Sequence, residues 1–221
     1  MKFAVVLSTS GSVLNKLIEL SPTFRVDLVV TDRKCGAEDV ARRYNIPLSR
    51  IAESNNTRFS DELLKLLQRE EIDFIFLFFT RLLKGKLLIE YKNRIINFHP
   101  SLLPACPGQH GFEDTMASCA LFFGSTAHVV DEGMDTGWPI IQAAAKKRPD
   151  ISNVDYYRHI VFAQQVACFY QVYSWILEGR FKIKESENIY IEGGIYGGLD
   201  FFNPSLESTA FDLYAKVARG F

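Results

Sequence analysis

The sequence predicts an α/β fold built on a mostly parallel central sheet that is flanked by helices. Apolar runs rich in β-branched residues alternate with helix-like stretches of about ten residues through the first half of the chain, a pattern typical of βαβ units. Residues 72–79 are almost wholly apolar, as expected of a parallel strand buried on both faces. Residues 125–130 and 139–144 are joined by a short, turn-rich connection, which permits antiparallel strands in the second half.

The order of the elements follows from changes in hydrophobic periodicity along the chain. The predicted strands are residues 2–8, 25–31, 72–79, 94–98, 125–130 and 139–144, and the predicted helices are residues 12–20, 36–44, 59–69, 83–91, 112–121 and 152–178. Ser60 is a candidate cap for the third helix, and Gly179 is well placed to end the last one. A hairpin is predicted over residues 181–192, whereas the pattern assigns no element to residues 193–221.

The composition argues against several classes of protein. A formal net charge of −1 lacks the basic excess of a dedicated nucleic-acid binder, and 48% hydrophobic residues suffice for a packed core. The cysteines at 35, 106, 119 and 168 form no CxxC pair, so we expect a reducing cytosol rather than a disulfide framework or a zinc site. Residues 1–7 are too short for a signal peptide, and no apolar run approaches the roughly 18 residues that span a bilayer. We therefore expect a cytoplasmic protein without nucleic-acid or membrane partners.

Two polar side chains lie at the end of one predicted strand. Asn97 and His99 are two residues apart, so their side chains point to the same face of an extended strand. Pro100 stops the strand, and in an open α/β sheet ligands bind at the carboxyl ends of the strands. A histidine in a core often only bonds a backbone carbonyl, and a lone asparagine is often structural. Together at a strand end they are a candidate oxyanion donor and a candidate proton-transfer group.

Asp135 is a candidate carboxylate for the same place. It lies in the Gly-flanked segment 133–137, where an aspartate commonly serves turn geometry alone. The functional alternative is that the turn carries the carboxylate to the strand end, where it could orient a water molecule or accept a proton through one. We expect no metal there, because asparagine is a poor ligand for transition metals and no second histidine has ligand spacing.

The first turn of the chain and His110 are weaker candidates. Ser10, Gly11 and Ser12 follow the first predicted strand and could hold a phosphate at a helix N-terminus. The turn lacks the GxGxxG and Walker patterns, so a plain connecting turn explains it equally well. His110 lies in a predicted loop and could line the same cavity as His99.

A set of short motifs occurs in fixed order through the middle of the chain. These motifs are Asn97-Phe98-His99-Pro100-Ser101-Leu102-Leu103-Pro104, Pro107-Gly108, Gly124 to His128, Asp135-Thr136-Gly137 and Pro139-Ile140-Ile141-Gln142. With them the chain resembles the formyltransferases that use 10-formyltetrahydrofolate, most of all the glycinamide ribonucleotide transformylase branch. The resemblance covers Met1 to about Arg180 and implies a Rossmann-like formyltransferase fold. It implies a catalytic domain over 1–180, with the C-terminal hairpin and tail of 181–221 packed on it or at a subunit interface.

The resemblance also implies roles for individual residues. Asn97, His99 and Asp135 match the family's catalytic trio, which stabilises the oxyanion formed when an amine attacks the formyl carbon. The other implied contacts are with the folate, from Phe79, Thr80, Arg81, Leu82, Leu83, Gly133, Met134 and Thr136, and with the acceptor, from Ser10, Gly11, Ser12, His110 and Gln165. The implied co-substrate is 10-formyltetrahydrofolate, without a metal, in one-carbon metabolism and purine biosynthesis.

The acceptor side of the chain departs from this branch. Residues 9–13 have one glycine fewer than the branch's phosphate-binding turn, and Gln165 stands where the branch has an acidic residue that contacts the glycinamide substrate. Glycinamide ribonucleotide is the best named acceptor, and a nucleotide-linked amino sugar or a hydroxyornithine-type amine is the alternative. A formyltetrahydrofolate hydrolase and a non-catalytic folate binder are less favoured. The expected partners are a small-molecule amine and a reduced folate, and the expected state is a monomer or homodimer.

Overall fold

The chain forms two compact units, and the first holds a parallel sheet. The computed structural model describes residues 1–184, 188–198 and 201–220. One unit contains residues 1–97 and 129–136, and the other contains residues 98–128 and the described part of 137–221. The elements up to the end of the parallel sheet are β1 (Phe3–Leu7), α1 (Ser12–Leu20), β2 (Leu28–Thr31), α2 (Ala37–Arg43), β3 (Leu48–Arg50), α3 (Asn56–Arg69), β4 (Phe74–Phe78), α4 (Lys86–Glu90) and β5 (Ile95–His99).

The five strands of this sheet run parallel in the order β5-β4-β1-β2-β3. Strands β1 and β4 are central and largely buried, as their unbroken apolar runs require. Helix α3 buries its apolar stripe, including Phe59, Leu63 and Leu67, in the same core. The predicted parallel sheet is thereby confirmed.

Helix α3 begins earlier than predicted, and its cap is a different residue. The Asn55 side chain accepts hydrogen bonds from the backbone N–H groups of Thr57 and Arg58 at 3.0 and 3.1 Å. Ser60 lies within the helix, where its hydroxyl donates to the carbonyl of Asn56 at 2.8 Å. The prediction that Ser60 caps this helix is therefore wrong, because the asparagine five residues earlier already satisfies the first N–H groups.

A buried carboxylate ties α2 to the edge strand β3, which the sequence pattern missed. Glu38 is 1% exposed and accepts hydrogen bonds from Arg50 at 2.5 and 2.6 Å. It also accepts from the Thr31 hydroxyl at 3.1 Å and from Arg42 at 3.0 Å. The hydrogen bonds from Arg50 outweigh the opposing effect of burial and lower the pKa of Glu38 to about 2. The carboxylate is therefore ionised wherever the protein is folded near neutral pH.

The second unit contains antiparallel strands, a long helix and a shorter C-terminal helix. Its elements are α5 (Gly111–Ala117), β6 (Phe122–Val129), β7 (Pro139–Lys146), α6 (Val154–Leu177), β8 (Phe181–Ile183), β9 (Ile189–Ile191), β10 (Phe202–Asn203) and α7 (Ser208–Ala218). Strand β7 pairs antiparallel with β6 and with β10, while β8 and β9 form a separate antiparallel pair. The predicted antiparallel strands and hairpin are confirmed, apart from residues 185–187, which lie outside the described residues.

The long helix predicted over residues 152–178 is confirmed as α6 (Val154–Leu177), and it is more apolar than the sequence analysis expected. Of the helices in the described part of the chain, it alone is long and apolar enough to cross a membrane by length and composition. The core helix of a soluble protein passes the same test, and 72% of the most apolar 18-residue window of α6 is buried. Phe169 and Trp175, each at most 1% exposed, are among the buried side chains.

Helix α7, which the sequence pattern did not assign, makes contacts at both of its ends with α6 or with Arg180, which follows α6. At one end, Glu207 accepts from the Trp175 indole N–H at 3.1 Å and from Arg180 at 2.5 Å. At the other, the Nε2 atom of His159 lies 2.7 Å from the carbonyl oxygen of Val217. The described tail therefore packs within the second unit, and a domain boundary near residue 180 stays a prediction.

Candidate active site

Three of the predicted segments share the carboxyl edge of the parallel sheet in the first unit. Strands β1 and β4 are parallel neighbours, so the turn at 8–12 and the segment at 79–83 begin at the same edge. The N–H of Ser8 donates to the carbonyl of Phe78 at 3.2 Å, which joins the two loops at their start. Asn97 is the register partner of Leu77 in β4 and so lies near the same edge.

Asp135 contacts Asn97 directly. The amide Nδ2 of Asn97 donates to Oδ1 of Asp135 at 3.3 Å, and both residues are half-buried. Asp135 has a backbone φ of 55°, the left-handed conformation that aspartate tolerates better than most residues. The loop therefore aims a carboxylate at the amide of Asn97.

A second aspartate, which sequence reasoning missed, shapes this loop. Oδ1 of Asp131 accepts from the N–H of Gly133 at 3.0 Å and from the hydroxyl of Thr136 at 2.7 Å. A Cβ atom at Gly133 would lie 2.0 Å from that hydroxyl, so the glycine leaves room for the bond. The available signal was an aspartate two residues before a glycine, the spacing of an Asx-turn. Met134 and Thr136, predicted to contact the folate, are exposed on the loop.

The segment 79–83 is fixed through the side chain of Arg81. Its guanidinium donates to Oδ1 of Asn56 at 2.9 Å and to the carbonyls of Glu53 and Ser54 at 2.7 and 2.9 Å. These acceptors lie at the start of α3, so one planar group joins the loop after β4 to a helix N-terminus. Leu83, the last residue of the segment, is buried in the core.

Aromatic and charged contacts hold the same guanidinium. It lies 4.6 Å from the centroid of the Phe59 ring, and this ring stacks on Phe79 with centroids 5.1 Å apart. Asp32 lies 3.7 Å from Arg81 and makes a bidentate pair with Arg33. Burial opposes ionisation of Asp32, but the hydrogen bond and charge of Arg33 prevail and lower its pKa. Sequence reasoning missed Asp32, since only the fold brings it near Arg81.

His99 lies in the second unit, buried at 4% exposure. Its Nε2 atom is 2.9 Å from the carbonyl oxygen of Cys106, in the loop that follows β5. Gln165, on α6, donates from Nε2 to the carbonyl of Phe98 at 3.3 Å, so it lies beside the same strand end. His110 is exposed and immediately precedes α5.

No group of three or more histidine, cysteine, aspartate or glutamate side chains is placed to hold a metal within the described ranges. The groups that the chain offers for chemistry at these strand ends are an amide, an imidazole and a carboxylate. An amide and a protonated imidazole can stabilise a developing oxyanion, and a carboxylate can relay a proton. This combination suits acyl-type transfer through a tetrahedral intermediate.

The chain belongs to the formyl transferase family, whose profile matches residues 1–172. It is 35% identical over 153 residues to the phosphoribosylglycinamide formyltransferase of Bacillus subtilis, covering 65% of this chain and 78% of that protein. It is 34% identical over 160 residues to the trifunctional purine biosynthetic protein adenosine-3 of Drosophila melanogaster. That match covers 67% of this chain, which spans only 12% of the length of the Drosophila protein.

Solved structures agree with the sequence relatives. The structure of glycinamide ribonucleotide transformylase 1 from Symbiobacterium toebii matches with a TM-score of 0.78 and 29% identity, covering 87% of this chain and 94% of that chain. The phosphoribosylglycinamide formyltransferase of Coxiella burnetii matches with a TM-score of 0.78 and 25% identity, covering 87% and 94%. The predicted fold and family are confirmed.

Proposed function

We propose that this chain transfers the formyl group of 10-formyltetrahydrofolate to the amine of glycinamide ribonucleotide. Family membership and the names of the relatives support the reaction class and the acceptor. The observation that carries the proposal is the hydrogen bond between Asn97 and Asp135, because it joins an oxyanion donor to a carboxylate at a strand end. His99 follows Asn97 by two residues on the same strand.

The proposed reaction proceeds through a tetrahedral intermediate. The acceptor amine attacks the formyl carbon, and the electron pair of the C=O bond moves to oxygen. The Asn97 amide and protonated His99 stabilise that negative charge. The intermediate then collapses, the carbon–nitrogen bond to the folate breaks, and the amine's proton passes to the departing folate nitrogen. Asp135 assists this transfer through a water molecule and keeps Asn97 oriented.

The proposed substrate contacts follow the edge of the parallel sheet. The backbone of residues 79–83 holds the pterin ring, and Gly133, Met134 and Thr136 contact the folate from the Asp135 loop. The acceptor's phosphate lies against Ser10, Gly11 and Ser12, while His110 and Gln165 contact the rest of the acceptor. These assignments rest on the resemblance, together with the shared edge at which the loops after β1 and β4 begin.

A formyl-transfer assay on a panel of amines tests the proposal. Purified protein is incubated with 10-formyltetrahydrofolate and glycinamide ribonucleotide, a nucleotide-linked amino sugar or N-hydroxyornithine, and products are identified by mass spectrometry. We expect formylation of glycinamide ribonucleotide with the highest kcat/KM. Preferred formylation of another amine would overturn the acceptor, folate consumption without a formylated amine would indicate a hydrolase, and folate binding without turnover would indicate a binder.

Replacing Asp135 with asparagine is expected to lower kcat by about thirtyfold. Asparagine keeps an oxygen that can accept from Asn97 and tolerates the left-handed backbone, so the change removes mainly charge and basicity. Steady-state kinetics with both substrates measure the effect. The control is Asp131→Asn, which keeps an acceptor oxygen for Gly133 and Thr136 and should change kcat less than about threefold. Equal losses in the two variants would contradict a chemical role for Asp135.

Replacing Arg81 with lysine is expected to raise the KM for 10-formyltetrahydrofolate by about tenfold with little change in kcat. Lysine cannot reproduce three planar hydrogen bonds, so the segment 79–83 would lose its fixed shape before the folate binds. Arg69→Lys is a suitable control, because Arg69 is exposed at the far end of α3. An unchanged folate KM in Arg81→Lys would show that the segment holds its shape without this side chain.

A cytoplasmic location and a monomeric or homodimeric state remain predictions. The apolar helix α6 is mostly buried, as in the core of a soluble protein, which supports the first. Analytical ultracentrifugation across a range of protein concentrations would measure the oligomeric state.

A further inference from the structure

A backbone carbonyl in the loop after β5 is within hydrogen-bond distance of one nitrogen of the His99 ring. Nε2 of His99 lies 2.9 Å from the carbonyl oxygen of Cys106. A carbonyl oxygen only accepts hydrogen bonds, so Nε2 carries a hydrogen in the neutral ring as well as in the protonated one. The proton that His99 gains and loses is therefore carried by Nδ1.

The Cys106 carbonyl is itself fixed by a buried hydroxyl. Ser101 is 0% exposed, and its Oγ lies 2.7 Å from the carbonyl oxygen of Ala105 and 3.1 Å from that of Cys106. One hydroxyl hydrogen thus serves two successive carbonyls of the loop. Cys106 has a backbone φ of 52°, a left-handed conformation that a non-glycine residue rarely adopts. The Ser101 hydroxyl stabilises the loop in the shape that this residue requires.

The start of α5 lies close to both the ring and the Cys106 carbonyl. A Cβ atom built on Gly111 would lie 2.4 Å from Nε2 of His99 and 2.9 Å from the Cys106 carbonyl oxygen. Any larger residue at 111 would have to displace either the ring or the loop. The absence of a side chain at Gly111 therefore leaves the space in which the ring and the carbonyl meet.

We propose that Ser101 and Gly111 are positioning residues that fix the tautomer of His99, leaving Nδ1 as the nitrogen that exchanges its proton during formyl transfer. The catalytic part of this inference rests on the proposed function, whereas the tautomer does not. Ser101 acts through the loop carbonyls and Gly111 acts by leaving space, so neither needs to touch a substrate.

Nitrogen NMR of the histidine rings tests the tautomer independently of activity. The full chain is labelled with 15N-histidine, its four rings are observed through long-range proton couplings, and His99 is assigned by its absence in His99→Gln. For neutral His99 we expect a protonated Nε2 and an unprotonated Nδ1. In Ser101→Ala the 15N chemical shifts of the two ring nitrogens should move toward each other, as they do in a mixture of tautomers. A protonated Nδ1 in the neutral wild-type ring, or unchanged shifts in Ser101→Ala, would overturn the proposal.

Kinetics test the catalytic part of the inference. Ser101→Ala should lower kcat by about tenfold with the folate KM within about twofold, the effect of one lost hydrogen bond that orients a reacting group. Ser118→Ala is the control, since its hydroxyl also donates to a backbone carbonyl, that of Thr115 at 2.8 Å, at the end of α5 remote from Gly111. Gly111→Ala should lower kcat further, with a thermal melt to show that it folds.

The two readouts separate two kinds of failure. If no amine is formylated by the wild type, the proposed function fails, but the ring shifts still decide the tautomer. If formyl transfer occurs and Ser101→Ala retains full kcat together with unchanged ring shifts, the positioning role fails while the proposed function stands.

Discussion

Replacing His99 with alanine is expected to lower kcat for formyl transfer by about a thousandfold while changing the KM for 10-formyltetrahydrofolate less than about threefold. In the proposed mechanism the imidazole places positive charge beside the oxyanion, whereas the proposed folate contacts come from the segment 79–83 and the Asp135 loop. An interaction made only in the transition state lowers kcat without weakening binding. Initial rates with glycinamide ribonucleotide, together with folate titration by fluorescence, measure both quantities.

A second histidine offers a matched control for this prediction. The His159 ring also meets a backbone carbonyl, that of Val217, but it lies on α6 and joins that helix to α7. His159→Ala should lower the melting temperature and leave kcat within about twofold. If His99→Ala kept more than about a tenth of wild-type kcat, His99 would not carry the oxyanion charge.

Replacing Glu38 with alanine is expected to lower the free energy of unfolding by about 3 kcal/mol. The change removes the buried acceptor of Arg50, Arg42 and Thr31, so the tie between α2 and the edge strand β3 is lost. Urea unfolding, followed by tryptophan fluorescence, measures this free energy of unfolding, since Trp175 is buried. Asp39→Ala is the control on the same helix: Asp39 is exposed and pairs only at the surface with Arg42, so its loss should cost less than about 0.5 kcal/mol.

The same carboxylate predicts a dependence of stability on pH. The pKa of Glu38 is lowered from 4.5 to about 2 in the folded protein, so its ionised form stabilises the fold at every pH above about 4.5. This contribution is lost as the pH falls from about 4.5 to about 2, where the folded carboxylate takes up its proton. The difference in unfolding free energy between wild type and Glu38→Ala should therefore shrink over that interval. A constant difference would show that the charge of Glu38 does not stabilise the fold.

The parallel sheet could be predicted because its strands are apolar on both faces. Residues 72–79 contain an unbroken apolar run, and the structure places β4 within it at Phe74–Phe78. The short edge strand β3 could not be found in this way, since Leu48–Arg50 has three residues and none is buried. It pairs with β2, and Arg50 bonds Glu38, but no local pattern reveals such contacts between residues distant in sequence. Helix α7 follows a glycine-rich stretch and was missed because its apolar stripe was short, with three buried positions.

The candidate site was predictable as residue types but only partly as an arrangement. The two-residue spacing at a strand end indicated Asn97 and His99, and the Gly-flanked turn indicated Asp135. The supporting groups could not be predicted in this way, because they act through backbone atoms or across long separations in sequence. Ser101 bonds carbonyls, Gly111 supplies empty space, and Asp32 approaches Arg81 only after folding.

The way the chain is divided between the two units limits how it can be taken apart. Each unit consists of two separate stretches of chain, so no single break releases either of them whole. A fragment ending at Asn97 would retain β1 to β4 and the first part of β5, but it would lack residues 129–136 and with them the carboxylate that bonds its terminal amide. A split version of this protein must therefore supply residues 129–136 together with residues 1–97. Otherwise the amide of Asn97 and the carboxylate of Asp135 lie on different fragments.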